Sequence, residues 1–247
     1  MMITDMVCKK ITVLAFLVVI TSYIAQAQVT AGKITYERKT NLTKKFKDSE
    51  WARDYIKEKN KIDEFELYFN DTASVFKEKE TDVENRNDWY TSKNEVYQNY
   101  TQNQKLTIKS IWGEKFAITD TLSKRVWKMT DSKRNIAGFN CRKAIWQSVD
   151  SSKLKMYAWY CNEIAPSVGP ESFNGLPGAI LGLATEDGGI VFFATKVETS
   201  NPNINALWYK NKKKRYTSAE FTTEIIARFG KDKWFKPQMK ELFGAWQ

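Results

Sequence analysis

The chain of 247 residues contains no histidine. That absence removes His-ligated zinc, the Ser-His-Asp and Cys-His arrangements and every imidazole acid–base step, because each needs that side chain. Cysteine is scarce, at three residues, and no metal-ligand cluster, phosphate-binding glycine-rich loop or nucleophile elbow occurs. No metal and no cofactor is expected. With 5 prolines and 11 glycines, no Pro/Gly/Ser-rich linker divides the chain, and no internal repeat is found. Long apolar runs are missing too. The longest, 11–24, is shorter than the about 20 residues that a membrane-spanning helix requires. A charged fraction of 28% beside a hydrophobic fraction of 42% excludes a disordered tail and a polytopic membrane protein.

That short apolar run follows Lys9-Lys10 and precedes Ala25-Gln26-Ala27. A basic start, an apolar stretch and a small-x-small site are the parts of a secretory signal peptide. Residues 1–27 are therefore expected to be removed after Ala27, leaving 28–247 as one exported domain, periplasmic or extracellular, with no integral membrane segment. The net charge is +10, and the densest basic run is Lys210–Arg215. The other lysines are scattered among acids, which reads as a solvated face, so no nucleic-acid partner is expected.

Export leaves Cys141 and Cys161 in an oxidising compartment. Two strand-like runs, 141–149 and 153–161, flank Asp150-Ser151-Ser152. A hairpin closed there sets Val149 opposite Lys153 and Cys141 opposite Cys161, within disulfide reach, so a structural staple is expected.

Period-two alternation recurs along the chain, as in Ile34 and Tyr36, in Phe65, Leu67 and Phe69, and in Leu106 and Ile108, which predicts half-buried antiparallel strands. In the last of these, Lys105, Thr107 and Lys109 take the other parity. Further strands are predicted near 73–79, 94–101, 115–120, 125–130, 179–185 and 190–198. Glu186-Asp187-Gly188-Gly189 is a hairpin turn signal between the last two. Helices are few: Ser49–Lys59, a capped helix from Thr217 with Phe221, Ile225, Ile226 and Phe229 on one face and Gly230 as its stop, and a short one at Lys236–Phe243. The fold class is mainly β, a curved antiparallel sheet or partial barrel with one central disulfide-stapled hairpin and helices near 49–59 and 217–243.

From Asn135 to Glu198 several motifs stand in order: Gly138-Phe139-Asn140-Cys141-Arg142-Lys143-Ala144, then Ala158-Trp159-Tyr160 with Glu163-Ile164, then Gly169-Pro170 with Phe173, then Gly175-Leu176-Pro177-Gly178-Ala179-Ile180. This resembles the GLPGLI family of secreted bacterial proteins, with Ala179 where the name has leucine. More distantly it is similar to the bowl-shaped N-terminal domain of a secreted peptide-N-glycanase, an accessory to the catalytic part. The resemblance implies a β-rich exported protein and no established activity.

In the motif, Pro177 fixes φ near −65° and Gly178 supplies a positive φ, the pairing that a type II turn uses, with Gly182 marking a bulge beyond it. The segment reads as a turn delivering the 179–185 strand, or as a backbone wall facing a ligand. Dense aromatics read as core and sheet surface, or as an aromatic-lined concavity. The candidate binding residues are Trp159, Tyr160, Glu163, Phe173, Pro177 and Gly178, for a hydrophobic or glycan ligand or an envelope protein. A hydrolase is the alternative, with Glu163 desolvated by its neighbours and paired with a second carboxylate, Glu171 or Asp187.

Overall fold

A computed structural model describes residues 28–81, 90–111, 113–149, 153–211 and 214–231. The leader, Trp89, Trp112, the 150–152 turn, Lys212 and Lys213 of the basic run, and the predicted 236–243 helix lie outside the described residues. Among the described residues, no helix is long and apolar enough to cross a membrane.

Two antiparallel meanders share one sheet. The first is β1 (Gly32–Asn41), β2 (Asn60–Phe69), β3 (Ala73–Glu78), β4 (Glu95–Asn99), β5 (Gln104–Ile111) and β6 (Glu114–Thr121). The second is β7 (Lys128–Ile136), β8 (Phe139–Gln147), β9 (Lys155–Cys161), β10 (Ala179–Thr185) and β11 (Ile190–Thr199). Strand β11 returns to pair with β1, and a two-residue strand, β12 (Arg215–Tyr216), joins β6 in parallel. The spatial order is β12-β6-β5-β4-β3-β2-β1-β11-β10-β9-β8-β7, so the sheet has two edges and is not closed into a barrel.

Topology forces that sheet to curl. Strands β6 and β7 are separated by ten inter-strand steps in this order, which is ~48 Å on a flat sheet at about 4.8 Å per step. Only residues 122–127 join them, and that length of chain reaches at most ~25 Å. Curling turns one face inward. Its floor is Ile34 and Tyr36 of β1, Phe65 and Leu67 of β2, Phe76 of β3 and Phe192 of β11, all with no exposed surface. The Phe65 and Phe76 rings stack 4.9 Å apart, and Tyr36 Oη donates to Ile180 O at 2.7 Å.

The hairpin register follows the sequence expectation. Arg142 pairs with Tyr160 and Gln147 with Lys155, which sets Cys141 and Cys161 at opposed positions. The expected staple is nevertheless wrong: both cysteines are free thiols. Each sulfur is turned to the backbone of its own segment, Cys141 Sγ donating to Phe139 O at 3.6 Å and Cys161 Sγ accepting from Glu163 N–H at 3.3 Å. Burial pushes the Cys141 thiol up to about 12, with the Cys161 and Glu163 charges acting in the same direction.

Four short helices complete the described chain: α1 (Leu42–Lys45), α2 (Glu50–Tyr55), α3 (Ile204–Leu207) and α4 (Ser218–Phe229). Helix α2 stops short of the predicted Lys59 because the backbone turns extended at Ile56 and strand β2 begins at Asn60. Helix α4 carries the expected capping box, Thr217 Oγ1 accepting from Glu220 N–H while the Glu220 carboxylate accepts from Thr217 N–H. Phe221 and Ile225 are buried against Phe116, Ile118 and Tyr216. Ile226, expected on the same face, is exposed.

Strand β7 runs to Ile136, beyond the predicted 125–130 segment. As an edge strand exposed at every position but Thr130 and the last residue, it carries no apolar alternation to read. The larger correction concerns polar strand positions. Lys105, Thr107 and Lys109, with Arg38, Lys61 and Asp63, are buried rather than solvated. They lie on the curled-in face, while Leu106 and Ile108 are covered on the other side by Ile204 and Trp208 in and beside α3.

Candidate functional site

The segment between β9 and β10 folds back into the curl and fills it. Val168, Pro170, Glu171, Ser172, Phe173 and Asn174 are all buried. Residues 122–127 clamp this loop. Arg125 Nη1 donates to Ser172 O at 2.9 Å and Trp127 Nε1 to Asn174 O at 3.0 Å. The Arg125 guanidinium lies 4.2 Å from the Phe173 ring centroid, and Trp146 meets Phe173 edge-on at 5.9 Å. Burial lowers the Arg125 value to about 10. The concavity expected to receive a ligand is thus occupied by the chain itself.

Beneath the loop lies an ion network. Asp63 accepts from Arg38 Nη2 at 2.7 Å, Lys61 Nζ at 2.7 Å and Thr91 Oγ1 at 2.8 Å. Burial alone would raise the Asp63 carboxyl, but Arg38, Lys61 and Thr91 outweigh it and hold it below the usual range. Glu171, 2% exposed, sits 4.0 Å from Arg38 Nη1 and accepts from Asn94 Nδ2 at 3.3 Å through its other oxygen. Its Oε1 has no hydrogen-bond donor, its backbone is left-handed at φ +55°, and burial pushes its carboxyl up despite Arg38.

Proline 177 and glycine 178 do not form the predicted type II turn. The Gly178 N–H donates to Leu176 O at 2.8 Å, closing a three-residue turn around Pro177, and Gly178 has φ +135°. A Cβ on Gly178 would lie 2.0 Å from Cys161 O. Glycine is required there because two backbones touch.

The six candidate residues are not brought together. Tyr160 and Phe173 are buried on the curled-in side, Pro177 and Glu163 are exposed, and Gly178 is enclosed. Glu163 is not desolvated by its neighbours as expected; its carbonyl accepts from Val29 N–H while its side chain faces solvent. The acids weighed for hydrolysis occupy three places: Glu163 on the surface, Glu171 enclosed beside Arg38, and Asp187 in the β10–β11 turn, where it accepts from Thr185 Oγ1 and Gly189 N–H.

Only Trp159 belongs to a partly open arrangement, on the face of β9 opposite Ala158 and Tyr160. Gly182 pairs with Phe193 on one side and Trp159 on the other. Lacking a Cβ, it lets those rings meet at 5.8 Å, and the register shift beside it is the bulge that the sequence suggested. Cations interleave with the rings. Lys143 Nζ lies 3.9 Å from the Tyr157 centroid and 5.8 Å from that of Trp159. Arg134 Cζ lies 5.8 Å from the Trp159 centroid and 4.4 Å from that of Phe193. At the end of the file Glu186 accepts from Tyr157 Oη at 2.9 Å and pairs with Lys155 at 2.6 Å. All three rings are half-buried and Arg134 is exposed. The sequence named Trp159 alone; Lys143 faces it across the β8–β9 hairpin, while Phe193 and Arg134 come from β11 and β7.

A family model described as a protein of unknown function (Porph_ging) matches residues 147–182, which run from the end of β8 through β9 and the buried loop into β10. No curated protein matches the chain. Among solved structures, PNGF-II in two crystal forms aligns with a TM-score of 0.53 and 17% identity, over 81% and 79% of this chain. The match spans 33% of the PNGF-II chain, so this fold corresponds to about a third of that protein. MucB in complex with MucA(peri) aligns over 75% of this chain and 56% of its own at a TM-score of 0.39 and 10% identity. The fold is shared with a part of PNGF-II, and the chain carries a segment typical of a family without assigned function.

Proposed function

We propose that this is an exported, non-catalytic binding protein of the bacterial envelope, a member of the GLPGLI group, whose Tyr157–Trp159–Phe193 file binds an acidic glycan. The leader-like 1–27 segment supports export, and the 28–247 remainder acts as one unit. The observation that carries the binding reading is the alternation of half-buried rings with Lys143 and Arg134 on one surface. Rings offer flat apolar faces to sugar C–H groups, while cations at the same spacing attract carboxylate or sulfate substituents. A neutral sugar would have to displace the cations from the rings, whereas an acidic one pairs with them. A hydrophobic ligand has no comparable place, because the 162–178 loop occupies the curled-in face.

Affinity electrophoresis in gels containing polygalacturonate tests the reading. The wild type is expected to be retarded relative to a gel containing neutral laminarin, and Trp159→Ala to lose most of that retardation, a weakening of about tenfold for one lost ring platform. Equal mobility of wild type and Trp159→Ala in the acidic gel would rule out the file as the site.

A further inference from the structure

A second polar feature lies away from the ring file, at the far end of β5 and β6. Asn103 and Lys105 on one side, Asp120, Thr121 and Lys124 on another, and Ser218 at the start of α4 line an open cleft of about 630 Å³. Lys105 is 6% exposed. Among the described residues its ammonium makes no hydrogen bond and no ion pair. The charges that act on it are Asp120, beyond ion-pair distance, and Arg125, which repels it; burial itself disfavours its charged form more than either. Asp120 is already engaged, accepting from Ser218 Oγ. The capping box uses the amides of Thr217 and Glu220, and leaves those of Ser218 and Ala219 without a protein acceptor among the described residues, at the positive end of a twelve-residue helix.

We propose that this cleft binds a phosphate group through Lys105, Lys124 and the first amides of α4. The Lys105 side chain is largely buried and its ammonium, at the cleft, has no protein acceptor among the described residues; holding a charge there is costly, and a ligand oxyanion supplies the acceptor that the protein does not. Two lysines and a helix amino terminus outweigh the one carboxylate in the cleft, so the ligand is an anion. A phosphate is compact and offers several acceptor oxygens, which suits an ammonium with three donors and two neighbouring amides. The site is independent of the glycan reading and does not share its residues.

Isothermal titration of the full mature chain with inorganic phosphate, against chloride at matched ionic strength, tests the proposal. The wild type is expected to bind phosphate, and Lys105→Met to lose at least tenfold in affinity while unfolding, without phosphate, at the same temperature as the wild type or higher. Lys124→Met, at an exposed position, keeps the fold and weakens binding by a smaller factor, so the test survives a Lys105 variant that does not fold. Co-sedimentation with phosphatidic-acid vesicles assigns a lipid headgroup if the wild type pellets and Lys105→Met does not. Phosphate binding without vesicle binding assigns a soluble ligand. Failure of the wild type to bind phosphate beyond chloride, or unchanged binding by Lys105→Met, overturns the proposal.

Discussion

Replacing Gly178 by alanine places a methyl carbon 2.0 Å from Cys161 O, 2.7 Å from Cys161 C and 3.0 Å from Asn162 Cα. All three atoms are backbone, so no side chain can swing aside. Ordinary contact begins near 3.4 Å, and the two chains must part by more than an ångström where Ala179 pairs with Cys161 and its N–H donates to Ile164 O at 3.1 Å. Overpacking of a rigid contact costs about 1–3 kcal/mol, and a non-glycine residue at positive φ adds on the order of 1 kcal/mol. Gly178→Ala is therefore expected to destabilise by about 2–4 kcal/mol. Gly175→Ala shares the positive φ, at +89°, but its Cβ would approach nothing closer than 3.5 Å, so about 1 kcal/mol is expected. Pro177→Ala, exposed, loses only restriction of the unfolded chain, under ~1 kcal/mol. Urea unfolding of the three variants checks the ranking. A Gly178→Ala protein within about 0.5 kcal/mol of the wild type would refute the close approach of the two backbones.

The remaining predictions concern the interior. The raised Glu171 value means that the folded state disfavours its charge: the penalty is complete above the folded pKa and closes as pH falls toward the ordinary carboxylate range. Glu171→Gln should thus be more stable than the wild type at pH 8, by about 1–2 kcal/mol for an unsatisfied buried group, with the difference shrinking on acidification; a destabilised variant at pH 8 would contradict the assignment. Asp63 runs the opposite way, its lowered value contributing stability at neutral pH that is lost as pH falls through the folded pKa. Asp63→Asn should cost about 3–5 kcal/mol, because Arg38 and Lys61 are left buried together, and thermal melts at pH 7 measure it. A chain starting at Gln28, denatured without reductant, should titrate two thiols, and none would refute the free cysteines.

Much of the strand framework was legible because apolar alternation marks a half-buried strand wherever one face is wet. The Gly188-containing hairpin and the Thr217 capping box were legible for the same local reason, since turn and cap chemistry lie within a few residues. The reading failed where tertiary structure buries both faces. Lys105, Lys109, Arg38 and Lys61 look solvated in sequence, yet the curl buries all four, and for Arg38 and Lys61 the compensating partner, Asp63, is a long-range one. The cysteine pair shows another limit: spacing placed the two residues opposite each other, but not the direction in which each sulfur turns. The binding candidates scattered because motif proximity in sequence puts Tyr160 and Trp159 on opposite faces of β9, while Phe193 and Arg134 reach Trp159 from strands far along the chain.

The central claim is that alternating rings and cations select an acidic glycan. Isothermal titration of the mature chain with oligogalacturonate and with its methyl ester, alike in sugar chain and different in charge, tests it most directly. The account predicts binding of the acid that weakens with salt, at least tenfold weaker binding of the ester, and loss of the acid preference when Arg134 and Lys143 are both replaced by methionine. Equal affinity for acid and ester, or an acid preference that survives the double replacement, would contradict it.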